Sequence, residues 1–259
     1  MLDPEVRASG EQSLAAWSRR SPAFLEAYDI QKMAFLSQWT GARIYPVHVN
    51  SGAGLAAIRR ARADGVAIVG ETCPRYLVLA QEEPPEPAAF GKMAPPVRTA
   101  EDRAALWSAL ADGTLDCVGS DHSPLSRRMK EPEAGIWGAR AGAGDIATLL
   151  PILLSEGVNR GRISLERLVE VCSRNPARAF GLYPRKGAIA IGSDADLVAV
   201  DLSMRRPVRA SELESICDWS PYEGMELTGW PALSLIRGAI VFDGDQVTGR
   251  PRGRYLARP

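Results

Sequence analysis

The stretch Leu115–Pro124, LDCVGSDHSP, starts as a short apolar run and ends on Ser120-Asp121-His122-Ser123-Pro124. An apolar run of this length bounded by turn formers reads as a buried strand. Upstream, Glu101 to Ala111 has helical spacing, and Asp112-Gly113 closes it. The same pairing of helix and strand occurs twice earlier. From Ser21 a helical stretch carries Phe24, Leu25, Tyr28, Met33, Phe35, Leu36 and Trp39 until Gly41 stops it, and ARIYPVHVN (Ala42 to Asn50) follows as a β-rich run. Ser51-Gly52 opens a second helix that ends at Asp64-Gly65, and VAIVGET (Val66 to Thr72) follows as another strand. Strand, helix, strand, loop, helix, strand is the rhythm of parallel β/α units, so the expected class is α/β.

Beyond this core the pattern loosens. Gln81 to Ala88 is a proline-rich acidic loop, and Lys130 to Gly144 is rich in glycine and alanine without periodicity, as expected of a loop over something. Helices are expected at about Asp145 to Gly157, Leu165 to Arg174 and Asn175 to Phe180. After KGAIAIGSDADLVAVDL the runs become short and alternating (Asp196 to Val200, Leu233 to Arg237, Ala239 to Phe242), which reads as a small β unit.

Bulk properties narrow the partners. The 259 residues carry 31 basic and 31 acidic side chains, so neither nucleic acid nor an anionic membrane is expected as a partner. No apolar run is long enough for a membrane span, and the first residues lack a signal-peptide pattern. Cys73, Cys117, Cys172 and Cys217 never form Cys-x-x-Cys and read as reduced thiols, giving a cytoplasmic expectation.

In parallel β/α architectures functional groups gather at the carboxyl ends of strands. Two strands here end in residues able to bind metal, His48 and Asp121, and an imidazole with a carboxylate makes part of a site for Zn²⁺ or a similar cation. A lone strand-end histidine is more often a hydrogen-bonded structural residue than a ligand. Glu71 and Thr72 end the middle strand toward the same place, where a supporting role is expected. Gly52-x-Gly54 lacks the third glycine and following acid of a nucleotide loop. Gly192 to Asp196 lacks the spacing of a calcium loop and reads as a turn. Trp17, Trp39 and Trp107 lie on helical patterns that suit core or interface burial.

Three long stretches carry a family resemblance: HVNSGAGLAAIRRARADGVAIVGETCPRYLVL from His48, GKMAPPVRTAEDRAALWSALADGTLDCVGSDHSP from Gly91, and SRNPARAFGLYPRKGAIAIGSDADLVAVD from Ser173. With SPYEGMELTGWPALSLIRGAIVFDG near the end, they resemble the cyclic amidohydrolases: hydantoinase (dihydropyrimidinase), allantoinase and dihydroorotase. The Asp-His-Ser-Pro and Asn-Pro-Ala-x-x-Phe-Gly-Leu segments are its specific parts. The resemblance implies a metal-dependent (β/α)8 TIM barrel with a small β-sandwich, and hydrolysis of a ring amide at a centre of two metals, two Zn²⁺ being expected. The family's donors are a His-x-His pair, a carboxylated lysine, two further histidines and an aspartate. His48 matches the last of those histidines. Asp121 matches the aspartate, which touches metal and also shuttles the proton from the attacking hydroxide to the leaving nitrogen. The chemistry suits these types, because metal brings the pKa of water toward about 7 and a carboxylate in reach moves the proton. Met93 and Ala94, and Gly138 and Ala139 within GIWGARAG, resemble the family's two substrate-facing loops. His122 is a further candidate for substrate contact. A small cyclic amide or ureide is the implied partner, with a homodimer or homotetramer as the complete assembly.

The departures are as informative. The chain has two histidines and no His-x-His, and none of Lys32, Lys92, Lys130 and Lys186 ends a strand-like run. By family order His48 lies on the sixth barrel strand and Asp121 ends the eighth. The expectation is therefore a partial barrel, strands six to eight, over residues 1–185, followed by part of the sandwich over 186–259. Such a chain is read as the carboxyl-terminal part of a longer enzyme, inactive alone. Hydantoin or a dihydropyrimidine is the favoured ring. The alternatives are an allantoinase, a dihydroorotase, or a non-catalytic dihydropyrimidinase-like assembly protein.

Overall fold

The computed structural model describes residues 3–244, 246–248 and 251–257. The chain separates into two units, Met1–Leu149 with Pro207–Met225, and Leu150–Arg206 with Glu226–Pro259.

The first unit begins with three helices, α1 (Asp3–Ala8), α2 (Leu14–Arg20) and α3 (Ala23–Thr40). Gly41 ends α3 in the left-handed region at φ 69°, its amide closing on the Ser37 carbonyl at 2.8 Å. The next helix is α4 (Gly52–Ala63), whose cap is Ser51 accepting from the Gly54 amide at 3.0 Å. Strand β1 (Glu71–Thr72) leads into α5 (Pro74–Val78), and α6 (Ala100–Asp112) precedes strand β2 (Cys117–Val118). Thr99 starts α6 with a capping box: its hydroxyl accepts from the Asp102 amide at 3.1 Å, and Asp102 reaches back to the Thr99 amide.

The three strand-like runs form a ragged parallel array. Ile44 bridges Ile68, Glu71 pairs with Cys117, and Thr72 pairs with Val118. Formal strands are shorter than the runs suggest, yet hydrogen bonds continue along them: Glu71 N to Pro46 O at 3.0 Å, Val49 N to Glu71 O at 2.8 Å and Gly119 N to Thr72 O at 3.0 Å. Pro46 has no amide to give, which interrupts the first run as a strand while leaving its carbonyl to accept. Leu55, Ile58, Leu77, Leu106, Leu110 and Leu115 are each almost wholly excluded from solvent within this unit. A second cluster joins Phe90, Met93, Val97, Ala143 and Trp219, with the Phe90 and Trp219 rings stacked at 4.3 Å.

The expected loop 130–144 contains short turns, α7 (Arg127–Lys130) and α8 (Gly135–Gly138), rather than open coil. The helix expected from Asp145 begins later, as α9 (Leu149–Ile152), because Asp145 is drawn inward to a buried arginine. It then widens to π geometry over Leu153–Val158. The pattern repeats in α10 (Leu165–Val169), a π segment over Glu170–Arg174, and α11 (Asn175–Ala179).

The second unit also holds β3 (Leu197–Pro207), β4 (Glu226–Ile236) and β5 (Ala239–Phe242), ordered β3-β4-β5. Two of these are longer than the expected alternating runs. Arg237 and Gly238 both take positive φ, 47° and 76°, which is the two-residue turn that joins antiparallel β4 and β5. Gly229 adopts φ +105°, and a side chain there would meet Leu154 Cβ at 2.7 Å, so glycine is required twice over. Among the described residues no helix is long and apolar enough to cross a membrane.

Leu115 tests the array, because it is fully buried at the start of the last strand-like run. Leu115→Ala should lower unfolding stability by about 2–5 kcal/mol in urea titrations, and a loss of only a few tenths would mean this strand is not core. Thr99→Ala should lose about 1 kcal/mol through its cap.

Candidate active site

Parallel pairing brings three carboxyl ends to one edge of the first unit: His48, Glu71-Thr72, and Asp121. Both His48 and Asp121 take positive φ, 45° in each case. Left-handed backbone at a residue with a Cβ costs roughly 1–3 kcal/mol, and such strain gathers at functional sites. It is held here by the surrounding bonds.

Glu71 does part of that holding. Its carboxylate accepts from the Tyr45 hydroxyl at 2.8 Å and from the His48 main chain. Burial raises its pKa, the Asp121 charge adds to this, and those hydrogen bonds oppose it. Thr72 faces inward, donating to the Val49 carbonyl at 2.7 Å. His48 is half-buried, and its desolvation lowers its pKa against the pull of the Asp121 carboxylate. Near neutral pH the imidazole is therefore uncharged, with a nitrogen lone pair to offer.

Asp121 is held by Arg75, a residue that strand-end reasoning passed over. Arg75 is only 1% exposed. Its Nη2 donates to the Ser120 and Asp121 carbonyls at 2.9 and 2.8 Å, and its Nη1 lies 3.3 Å from Asp121 Oδ2 and 3.7 Å from Met93 Sδ. Nε donates to Asp145 Oδ2 at 2.5 Å, and Asp145 is wholly buried. Burial works to raise the Asp145 carboxyl, and the Arg75 charge holds against it. Tyr222 is packed there too. Its hydroxyl and Asp145 Oδ1 are buried and neither has a partner in hydrogen-bond geometry, although Asp145 is near enough for its charge to raise the tyrosine. The only sequence signal for Arg75 was its position three residues beyond the end of a strand.

Two buried lysines organise the loops expected to face substrate. Lys92 Nζ donates to the Ala139 and Trp137 carbonyls at 2.5 and 3.2 Å and lies 4.2 Å from the Trp17 ring centre. Lys130 Nζ donates to the Lys92 and Gly142 carbonyls, both at 2.9 Å, over the Trp219 ring. Trp17 Nε1 donates to the Met93 carbonyl at 2.7 Å. The carbonyls of Met93 and Ala139 are thus engaged internally, and both residues are buried. Ala94 and Gly138 are exposed. His122 is half-buried, its Nδ1 accepting from the Ile146 amide at 3.3 Å, so it ties down the 143–146 segment. A cleft of about 320 Å³ opens beside His48, lined by α3 and by residues 45–49 with Pro95 and Arg98, and Asp121 is not on its wall.

A metal centre needs more donors than this. Among the described residues no group of three or more His, Cys, Asp or Glu side chains could hold a metal ion. His48 and Asp121 are two donors, and the Arg75 cation beside Asp121 opposes a second positive charge. The residues present do not by themselves fit a two-metal centre, where three or four protein ligands per zinc site are usual.

Arg75→Met should destabilise the chain by about 3–5 kcal/mol, because Asp145 would be left charged, buried and unpaired. Urea unfolding reads this, and an unchanged midpoint would refute the pairing. The lysines predict a pH dependence. Burial and the neighbouring Lys92 and Arg75 charges lower Lys130 to about 7, and burial lowers Lys92 to about 8. Unfolding returns both to the ordinary range above 10, so between these limits the unfolded state binds more protons and stability rises with pH. Urea midpoints at pH 7 and 9 should show that rise, and Lys130→Met should flatten it.

The sequence profile described as "Amidohydrolase family" matches residues 36–241. The chain is 38% identical to the L-hydantoinase of Paenarthrobacter aurescens over 99% of its own length and 57% of that protein's. It is 37% identical to a dihydroorotase of Halobacterium salinarum, over 94% of this chain and 56% of the relative. Among solved structures, the L-hydantoinase (dihydropyrimidinase) of Arthrobacter aurescens superposes with a TM-score of 0.92 at 38% identity, covering 96% of this chain and 55% of that one. The chain spans little more than half the length of the curated relatives it matches. The match over most of its residues and the agreement of fold and sequence place this chain in the amidohydrolase family, among its cyclic amidohydrolases.

Proposed function

We propose that this chain carries the proton-transfer base and one metal-facing imidazole of a hydrolase that opens cyclic amides, hydantoin or a dihydropyrimidine first among them. The observation that carries the reading is the pair of left-handed residues, His48 and Asp121, at the carboxyl ends of the two strand-like runs that flank the Glu71–Thr72 run. In this reading Asp121 takes the proton of the attacking water and returns it to the leaving ring nitrogen. Arg75 holds the Asp121 main chain and aims its carboxylate, while neutral His48 offers a lone pair. Ala94 and Gly138, the exposed members of the two loops, are the positions where main chain could meet substrate, and the lysine-tied loops keep their spacing.

The architecture belongs to the same proposal. The three parallel runs correspond to strands six to eight of a (β/α)8 barrel within residues 1–185, and 186–259 to part of a β-sandwich. The remaining strands and donors would come from outside this chain. With two donors, the chain alone is expected to lose zinc on dialysis and to leave ring amides intact. The absence of a three-donor group among the described residues also supports a second reading, a non-catalytic member of the family.

A fusion separates the two. The amino-terminal part of the P. aurescens L-hydantoinase that this chain does not match would be joined ahead of it, and hydantoin, dihydrouracil, allantoin and dihydroorotate assayed. Opening of hydantoin or dihydrouracil is expected, with Asp121→Asn lowering kcat about 10²–10⁴-fold. A folded, zinc-loaded fusion inactive on all four rings would favour the non-catalytic reading.

A further inference from the structure

In the segment Met93 to Pro96, three carbonyls are each taken by a side chain from a different part of the chain. Trp17 Nε1 donates to the Met93 carbonyl at 2.7 Å, the Tyr76 hydroxyl to that of Pro95 at 2.8 Å, and Asn50 Nδ2 to that of Pro96 at 3.1 Å. Ala94, between the held positions, is the exposed residue of the four. Of the three donors, only Asn50 belongs to the run that carries His48. Asn50 is itself 1% exposed and fixed from two further sides. Its amide donates to Glu26 Oε1 at 2.9 Å, and its Oδ1 accepts from Arg98 Nε at 3.2 Å. Arg98 is buried and donates in turn to Ser18 Oγ at 3.0 Å and the Ser21 carbonyl at 2.6 Å. Only one orientation of the Asn50 carboxamide satisfies both partners, because the Pro96 carbonyl accepts and the guanidinium donates. The walls of the cleft beside His48 include His48 and Val49 from one segment and Pro95 and Arg98 from the other, the two segments that Asn50 joins.

We propose that Asn50 is a specificity-determining positioning residue: by tying Pro96 to the His48 run it fixes the span between His48 and the Ala94 main chain, and that span selects the size of ring the site accepts. The proposal rests on the hydrolase reading, in which His48 faces metal and Ala94 meets substrate. A ring must meet both ends of the span at once. Dihydrouracil has one ring methylene more than hydantoin, and a site with fixed walls discriminates one methylene by roughly 10–200-fold. Misplacing reacting groups by about 1 Å costs on the order of 10²-fold. Asn50 touches neither metal nor ring in this arrangement; it acts through the place of Ala94.

Two measurements test it. In the 259-residue chain, hydrogen exchange at the amides of Met93, Ala94, Val97 and Arg98 is compared for the wild type, Asn50→Asp and Asn50→Ala. Asn50→Asp keeps an acceptor for Arg98 and loses the donor to Pro96; Asn50→Ala decides if the new carboxylate unfolds the chain. Exchange at these amides should quicken about tenfold with far-ultraviolet circular dichroism retained, and unchanged exchange in a folded variant overturns the proposal. In the hydantoinase fusion, kcat/KM for hydantoin and for dihydrouracil is measured at equal zinc content. The wild type should prefer one ring, and the variants should shrink that preference at least about threefold. A merely structural role lowers both rings by one factor, so an unmoved ratio, or a wild type without preference, overturns the role of Asn50 while leaving the hydrolase reading intact. A wild-type fusion that opens neither ring brings down the hydrolase reading and ring selection with it.

Discussion

The Arg75–Asp145 pair is the constraint on which the rest of the first unit depends. A guanidinium this deeply buried must have its donors met, and Arg75 meets them with one carboxylate, two carbonyls and the edge of Asp121. Because these acceptors come from two distant parts of the chain, Ser120-Asp121 and Asp145, satisfying one side chain joins α5, the end of the β2 run and the glycine-rich segment ahead of α9. A buried ion pair of this kind adds little net stability over an apolar packing, and its removal from one side only is severe. Its use here is positional. It ties the Ser120 and Asp121 carbonyls to α5, with Asp121 in the left-handed region.

The lysines extend the same logic outward. Lys92 and Lys130 each place an amine where two carbonyls converge, and each also lies over an indole ring. Glycine-rich loops with little apolar content have few ways to become rigid. A buried amine from another segment that binds loop carbonyls provides one, because it binds main chain and does not depend on loop side chains. The low pKa that burial imposes on these amines accompanies this use, since a neutral amine can still donate to two carbonyls.

Much of the secondary structure was legible because its signals are local. Gly41, Gly65 and Gly113 end helices at positive φ where their sequence positions suggested, and the alternation of strand and helix placed His48 and Asp121 at strand ends on either side of Glu71-Thr72. The misreadings share one cause. The helix expected from Asp145 starts four residues late because Asp145 has a distant partner, and the run 42–50 forms only a single formal bridge because Pro46 interrupts it. Trp17 and Trp107 are buried as the helical pattern suggested, while Trp39, on an equally helical pattern, is exposed. Local periodicity states that a side chain is apolar and which neighbours share its face. It is silent on what covers that face.

The sequence by itself determined the parallel β/α rhythm, the chemistry available at two strand ends and the family resemblance, since all of these reside in residues close together along the chain. Only the tertiary structure decided that Arg75, Lys92 and Lys130 are interior groups, that Glu71 steadies the strand end bearing His48, and that among the described residues no three metal donors gather. Those outcomes depend on acceptors tens of residues away, and burial of a charge is permitted only where folding brings such acceptors together.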